Sequence, residues 1–347
     1  MSDYLNVKKH GAVGDGVTDD TASIQSAIDT AAQTGETVYF PAGRFVCGEL
    51  IVRRNIYLKA DHTWGYRGES AGRSVLIQRD DEQDCILNVT GANGSTMDGL
   101  SLLGRGGRDG HCAGILSKKT DYGTEEDAYR IENCRVARFA SHAVYLDRVW
   151  CFSVRHCMFA YCGGDGLCIT GWDGFVIDNW FSGNRGAGWS GNHGANASVT
   201  MTGNRIEWNA GGGIVIRGGN HYNITGNYID RAGTSGIIIE NSHSIACTGN
   251  VVYRSGKYEA NLPASAQCII KSSSGVSFTG NTFSAGKDDG GQGTVTPNYS
   301  LILDNLTNCT ITSNTMHQGS TTSPIIDKQN HTNSIIKDNV GSAVNQW

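Results

Sequence analysis

From residue 131 onward, short alternating apolar runs are separated by polar corners in a pattern that returns at a nearly constant step. Each repeat holds an apolar run, a corner that is usually Asn, a second short run, a glycine-rich turn and then Gly-Ile-x-Ile. The corners fall at Asn133, His156, Asn179, Asn204, Asn227, Asn250, Asn281, Asn314 and Asn339, about 23–25 residues apart apart from two steps of about 31 and 33. That step is the length of a coil made of three short strands. In the clearest repeat Ile206, Ile214 and Ile216 point inward, and Ile229, Ile237 and Ile239 repeat them one coil later. Asn side chains stacked at successive corners can bond to one another and satisfy the backbone there.

The N-terminus reads differently. Gly11-Ala-Val-Gly-Asp-Gly-Val-Thr-Asp-Asp-Thr21 leads into Ala22–Ala32, whose apolar spacing predicts a helix with Asp19 and Asp20 at its N-cap. A helix there covers the open end of a coil stack, which would otherwise expose strand edges and core. The expected fold is therefore all-β: a single-stranded right-handed parallel β-helix of three-strand coils with an N-terminal capping helix. Residues 1–45 form the cap and residues 46–347 one continuous β-helical domain.

Composition narrows the function. The 47 glycines and 4 prolines suit many tight turns. The formal charge of −5 and the absence of a basic run exclude a nucleic-acid sheath, and no apolar stretch is long enough for a membrane helix. No apolar signal core follows Met1, which suits a cytoplasmic or phage-associated protein, or a secreted one if the chain is a trimmed piece. Eleven cysteines, an odd number without paired CxxC spacing, read as buried thiols rather than a disulfide framework or zinc site. Neither cofactor nor metal is implied.

The run GAVGDGVTDDTASIQSAIDTA, followed by VYFPAGRF at 38–45, resembles the N-terminal cap of pectate-lyase-type β-helices, found in polygalacturonase-related glycosidases and phage tailspikes. The resemblance implies a pectin-lyase-like fold and activity on carbohydrate, with hydrolases, lyases, epimerases and receptor-binding spikes all hosted by this scaffold. Asp165, in Gly163-Gly-Asp-Gly-Leu-Cys-Ile169, stands where polygalacturonases carry the second of two aspartates, while Gly164 stands at the first. The family's Gly-His-Gly finds no match at Gly186-Ala-Gly188, so Asp165 alone carries over.

Glycoside hydrolysis needs two carboxylates, one to protonate the leaving oxygen and one to act as base or nucleophile. Asp165 is the expected acid, and Glu207 or Asp230, both facing away from the inward Ile206 and Ile229, the expected partner. The glycine-rich coil between them, with Gly183, Gly186, Gly188, Gly191 and Gly194, suggests a depression. Trp189 and Trp208 would stack on sugar rings. His142, His193, Arg205, Arg217, Arg231 and Glu240 complete the expected substrate contacts. A lyase or epimerase would instead use Arg or Tyr, through Arg205, Arg217, Arg231, Tyr145 or Tyr161, since no lysine lies between Lys119 and Lys257. The noncatalytic alternative is a glycan-binding module that trimerises. The expected partner is an oligo- or polysaccharide. Two longer repeats, 256–263 and 286–293, would wall the groove, with Asp288 and Asp289 too poorly spaced for calcium.

Overall fold

The computed structural model describes residues 4–65, 72–106, 110–191, 195–256, 265–287 and 294–343. Its internal contacts divide the chain into two compact units, Met1–Phe175 and Val176–Trp347.

In the first unit the only helix longer than one turn among the described residues is Thr21–Thr34. It buries Ile24, Ala27, Ile28 and Ala31, the i, i+3, i+4, i+7 stripe of one helix face. Gln25 fixes it to the strand Leu50–Ile51, accepting from Ile51 N–H at 2.8 Å and donating to Ile51 C=O at 3.1 Å. Asp20 holds the N-cap position, but its carboxylate turns back to accept from Val13 and Gly14 N–H, and Asp19 accepts from Thr21 N–H instead. The expected cap pair thus divides its work, one member ordering the preceding turn. Gly14 in that turn has φ +68°, and a Cβ there would lie 2.7 Å from the Phe45 ring.

The strands of this unit pair in parallel. Ser101, Arg135 and Met158 are in register on one sheet, and Thr96, Arg130 and Ser153 on the other. Along the strand Val144–Arg155, Val144 and Leu146 are fully buried while Tyr145 and Asp147 face outward, the period-two alternation of a one-sided strand.

The second unit continues the same grammar. Trp180, Arg205, Tyr228 and Val251 are parallel register partners, as are Ile214, Ile237 and Cys268. Its Ile206, Ile214, Ile216, Ile229, Ile237 and Ile239 are all inaccessible to solvent. The Asn corners form the expected ladder. Each Oδ1 accepts both the backbone N–H and the side-chain N–H of the preceding Asn, at 2.8–3.1 Å, from Asn179 through Asn204, Asn227, Asn250, Asn281 and Asn314 to Asn339.

The first unit departs from that series. Asn133 and His156 have φ +53° and +52° and occupy the left-handed residue before the ladder position, the place held in the second unit by Gly203, Gly226, Gly249 and Gly280. The ladder position itself belongs to Cys134 and Cys157, whose thiol accepts from Cys134 N–H at 3.4 Å. A thiol is a small apolar group and a weak acceptor, so it fills the corner with less hydrogen bonding. All eleven cysteines are free, and all but the half-buried Cys151 are buried. Among the described residues no helix is long and apolar enough to cross a membrane.

Candidate functional site

The outward face of the strand Val144–Arg155 collects the chemistry of the first unit. Parallel register with Ala113–Lys118 sets Leu116 beside Tyr145 and Lys118 beside Asp147. His142 lies in the turn that enters this strand, and Asp165 in the turn that enters Leu167–Ile177. The Asp165 N–H donates to His142 Nδ1 at 2.9 Å, and the Asp165 carboxylate Oδ2 lies 3.6 Å from the same nitrogen. The shorter contact has the better geometry and makes Nδ1 an acceptor, which places the proton of the neutral imidazole on Nε2. Gly164 is a consequence: a Cβ at this position would lie 2.8 Å from His142 Nδ1, so the position that holds an aspartate in polygalacturonases is taken here by the imidazole.

Tyr145 packs its ring 5.4 Å from that of His142 and rests on Cys85, Ala113 and Leu116. Burial pushes its phenol above the ordinary tyrosine value, with the negative charge of Asp147 adding to the rise, so it is held as a proton donor. Asp147 accepts from the Thr170 hydroxyl and, at 2.6 Å, from Arg148 Nη1. Lys118 is exposed. His142, Asp165 and the buried Cys168 bring nitrogen, oxygen and sulfur donors within 4.8 Å of one another, the donor set of a soft divalent metal. The Asp165 N–H bond already occupies Nδ1, and a metal at that nitrogen would displace it.

The remaining expected residues belong to the second unit, where cross-strand register builds a different structure. Glu207 is buried; its Oε1 accepts from Trp180 Nε1 at 3.0 Å and its Oε2 from Arg205 Nε at 2.9 Å. Asp230, its neighbour in register, is 1% exposed. Arg254 grips Asp230 through Nε at 3.0 Å and Nη2 at 2.6 Å, and Arg231 Nη1 bonds the same carboxylate. Burial raises the Asp230 carboxyl against the pull of both arginines. A carboxylate so enclosed has no free face for a sugar or a water, so the expectation that it acts as base or nucleophile is withdrawn.

The arginines are themselves sandwiched. Arg205 lies over Trp180 and Tyr228, and Arg231 lies 4.2 Å from the centre of the Trp208 ring. Trp208, Arg231 and Arg254 all sit in left-handed corners, and Arg254 lies over the Tyr253 ring. Trp208 stays 41% exposed and keeps one face accessible.

Trp189 is corrected outright. It is 0% exposed, edge-on to Tyr222 at 5.5 Å, and its indole fills the space beside Gly191, where a Cβ would lie 2.8 Å from the ring. Gly191 makes room for a core tryptophan, and Gly188 for Ile206, rather than for a sugar. Arg217 pairs with its register partner Glu240 at 3.0 Å. His193, Gly194, the loop 257–264 and Asp288–Asp289 lie outside the described residues. Sequence reasoning named both His142 and Asp165 but missed Lys118 and Cys168. Lys118 reaches the face only through a register that crosses the irregular connection before Val144, and no sequence signal carries that.

Parallel strands, a buried Asn ladder and inward isoleucines define the β-helix class. The family described as "Right handed beta helix region" matches residues 142–296 and 190–347, more than half of the chain, and the chain belongs to it. The description "Rhamnogalacturonase A/epimerase, pectate lyase-like" matches residues 4–63, in line with the pectin-lyase-like resemblance.

Alginate lyase 7 of Azotobacter vinelandii is 32% identical over 155 residues, 39% of this chain and 17% of that protein. Mannuronan C5-epimerase AlgE5 of the same organism is 51% identical over 65 residues, 16% of this chain and 6% of that protein. The matches thus span less than a fifth of either relative. Among solved structures, tailspike protein 2 of Escherichia coli O157:H7 bacteriophage CAB120 superposes with a TM-score of 0.66 at 16% identity, over 89% of this chain and 43% of that one. That likeness concerns the fold.

Proposed function

We propose that the protein is a carbohydrate-active enzyme that moves a proton at the carbon beside a uronate carboxylate, in the manner of a polysaccharide lyase or epimerase. The observation that carries this reading is one outward face holding His142, Asp165, Tyr145, Asp147 and Lys118. Names of two relatives, an alginate lyase and a mannuronan epimerase, support it. In the proposed reaction Lys118 faces the substrate carboxylate and offsets the charge that develops there when the adjacent C–H bond breaks. The Asp165 carboxylate accepts that proton, with His142 Nε2–H oriented as a hydrogen-bond donor to the sugar. The electron pair then expels the 4-linked oxygen, which takes the Tyr145 proton, leaving an unsaturated end. For epimerisation the carbon takes a proton back from the opposite side and no bond to the neighbouring sugar breaks. Coils of three short strands and a capping role for the helix Thr21–Thr34 belong to the same proposal.

Hydrolysis is the second reading, supported by Asp165 and Asp147 standing at the two ends of this face. Pairing Asp165 with Glu207 is weaker, because Glu207 is already bonded to Trp180 and Arg205. A noncatalytic, trimeric glycan-binding spike rests on fold likeness alone.

The test incubates the full chain with polymannuronate, polyguluronate and polygalacturonate in heavy water. Absorbance of unsaturated ends, new reducing ends and deuterium at the carbon beside the carboxylate are followed together. Unsaturation marks a lyase, deuterium without chain cleavage an epimerase, and reducing ends without unsaturation a hydrolase. Tyr145→Phe and Asp165→Asn should each abolish turnover with the fold intact. Turnover that survives both and is lost in Glu207→Gln would move the site to the second unit.

A further inference from the structure

A second feature of the second unit has no part in the proposed reaction. Outward positions on the parallel strands Gly212–Arg217, Ile237–Glu240, Ala266–Thr279 and Tyr299–Thr307 form two adjacent rows. One row is apolar: Ile238, Ile269 and Ile302 are register partners. The other alternates in sign, from Arg217 to Glu240, Lys271 and Asp304, with Lys328 bonded to Asp304 at 2.9 Å. The two rows line a cleft whose cavity of about 240 Å³ seats one or two sugar rings of a longer chain, the rest of which would lie over the row.

The carboxylates and cations of this row are not equally presented. The Glu240 and Asp304 side chains are 26% and 13% exposed, and Arg217, Lys271 and Lys328 are 43%, 48% and 54% exposed. Each carboxylate is covered by the cations beside it, with Glu240 held by both Arg217 and Lys271. Asn330, and then Lys328, hold the Asp304 carboxyl below its ordinary value, which keeps it ionised. The outermost charge is therefore positive at every second strand, and cations recur roughly 9.5 Å apart, two strand spacings. A chain of 4-linked sugars in a two-residue repeat advances by a similar distance. Ile269, half-buried between the nearly covered Ile238 and Ile302, offers an apolar surface to the C–H faces of sugar rings.

We propose that this cleft is a separate binding site for an acidic polysaccharide, lying along the strand stack with the carboxylates of alternate sugars against Arg217, Lys271 and Lys328. The inference takes the ligand class from the proposed function and adds a site to it. Charge complementarity selects the ligand: a neutral glycan would gain from the isoleucines alone, and the excess cation of the row would remain unmatched.

The experiment measures binding of a short oligogalacturonate and of its carboxyl-reduced neutral counterpart by calorimetry. It uses the full chain carrying Tyr145→Phe, so that turnover does not consume the probe. The acidic oligosaccharide should bind, the neutral one at least about tenfold more weakly, and added salt should weaken only the former. Lys271→Gln should lower affinity by about tenfold and Ile269→Asp further, with melting temperature unchanged in the glutamine variant. Equal binding of the two probes, or affinity untouched by both substitutions, would overturn the proposal. So would a dimer in light scattering that Ile269→Asp dissociates, since the face would then belong to a second copy. If Lys271→Gln weakens binding while no substrate is turned over, the cleft stands and the catalytic reading falls. If Tyr145 proves essential and Lys271 irrelevant, the reverse holds.

Discussion

The Asn ladder makes a quantitative prediction at Asn227. Its Oδ1 accepts from Asn204 N–H at 3.0 Å and from Asn204 Nδ2 at 2.9 Å, while its Nδ2 donates to Met201 C=O at 3.0 Å. Replacing it with Ala leaves two buried donors of Asn204 without an acceptor and removes a donor from Met201 C=O and one from Asn250 Oδ1. Each buried donor left unmade costs about 1–3 kcal/mol, and a water admitted to the vacated space recovers part of it, so the expected loss is about 2–4 kcal/mol. Asn227→Cys should cost roughly half as much, because sulfur is a weak acceptor but fills the corner, as Cys157 does for Cys134. Native-state hydrogen exchange is the appropriate assay, since an array of repeats need not unfold in one step. The exchange of amides at Asn204 and Tyr228 should accelerate in the order wild type, Cys, Ala. A loss below about 0.5 kcal/mol in the Ala variant, the scale of a surface substitution, would refute the claim that the ladder is closed to water.

Other substitutions separate framework from chemistry. Asp230→Asn leaves two buried arginines facing a neutral amide and should cost about 3–5 kcal/mol in a denaturation experiment, whereas Asp165→Asn should leave the urea midpoint nearly unchanged. Gly164→Ala should lose activity, because the new methyl presses on His142 Nδ1 and on the backbone of Ser141 and His142; a variant with full activity would show that Nδ1 does not need that position. On the acid side, Arg53 holds the Asp29 carboxyl below 3.8, and the Thr21 hydroxyl, aided by Arg79, does the same for Asp19. A depressed carboxyl contributes stability that is complete above 3.8 and is lost as pH falls through the folded-state value. Exchange in the helix Thr21–Thr34 should therefore quicken on acidification below that point, and Arg53→Ala should blunt the change. The Tyr145 phenol is shifted upward, so any rate loss due to its ionisation should appear only above pH 10.

Much of the framework was legible because its periodicities are local. The spacing of Ile24, Ala27, Ile28 and Ala31 marks a helix face, and the Gly-Ile-x-Ile runs mark strands whose isoleucines enter the core. The recurrence of Asn from 179 to 339 marks a ladder, since the same corner chemistry returns once per repeat. Periodicity erred by one residue at Asn133 and His156, where a polar side chain in a left-handed corner looks, in sequence, like the ladder residue beside it. Only the structure shows that cysteine does the ladder's work there.

The site divides along the same line. The sequence by itself determined the alternation of particular strands: Tyr145 alternates with the buried Val144 and Leu146, and Glu207 and Asp230 adjoin the buried Ile206 and Ile229. What those side chains meet outside is set by partners one repeat away. Register brings Arg254 to Asp230 and encloses a carboxylate that otherwise resembles a catalytic one, and it brings Lys118 to Asp147 across an irregular connection. Trp189 shows the other limit of pattern reading: a glycine-rich stretch reads as an open depression, but steric room opened by missing Cβ atoms is filled by whichever large side chain the packing brings there. Alternation along one strand is a property of the chain, whereas neighbours across strands exist only once the backbone hydrogen bonds have fixed the register.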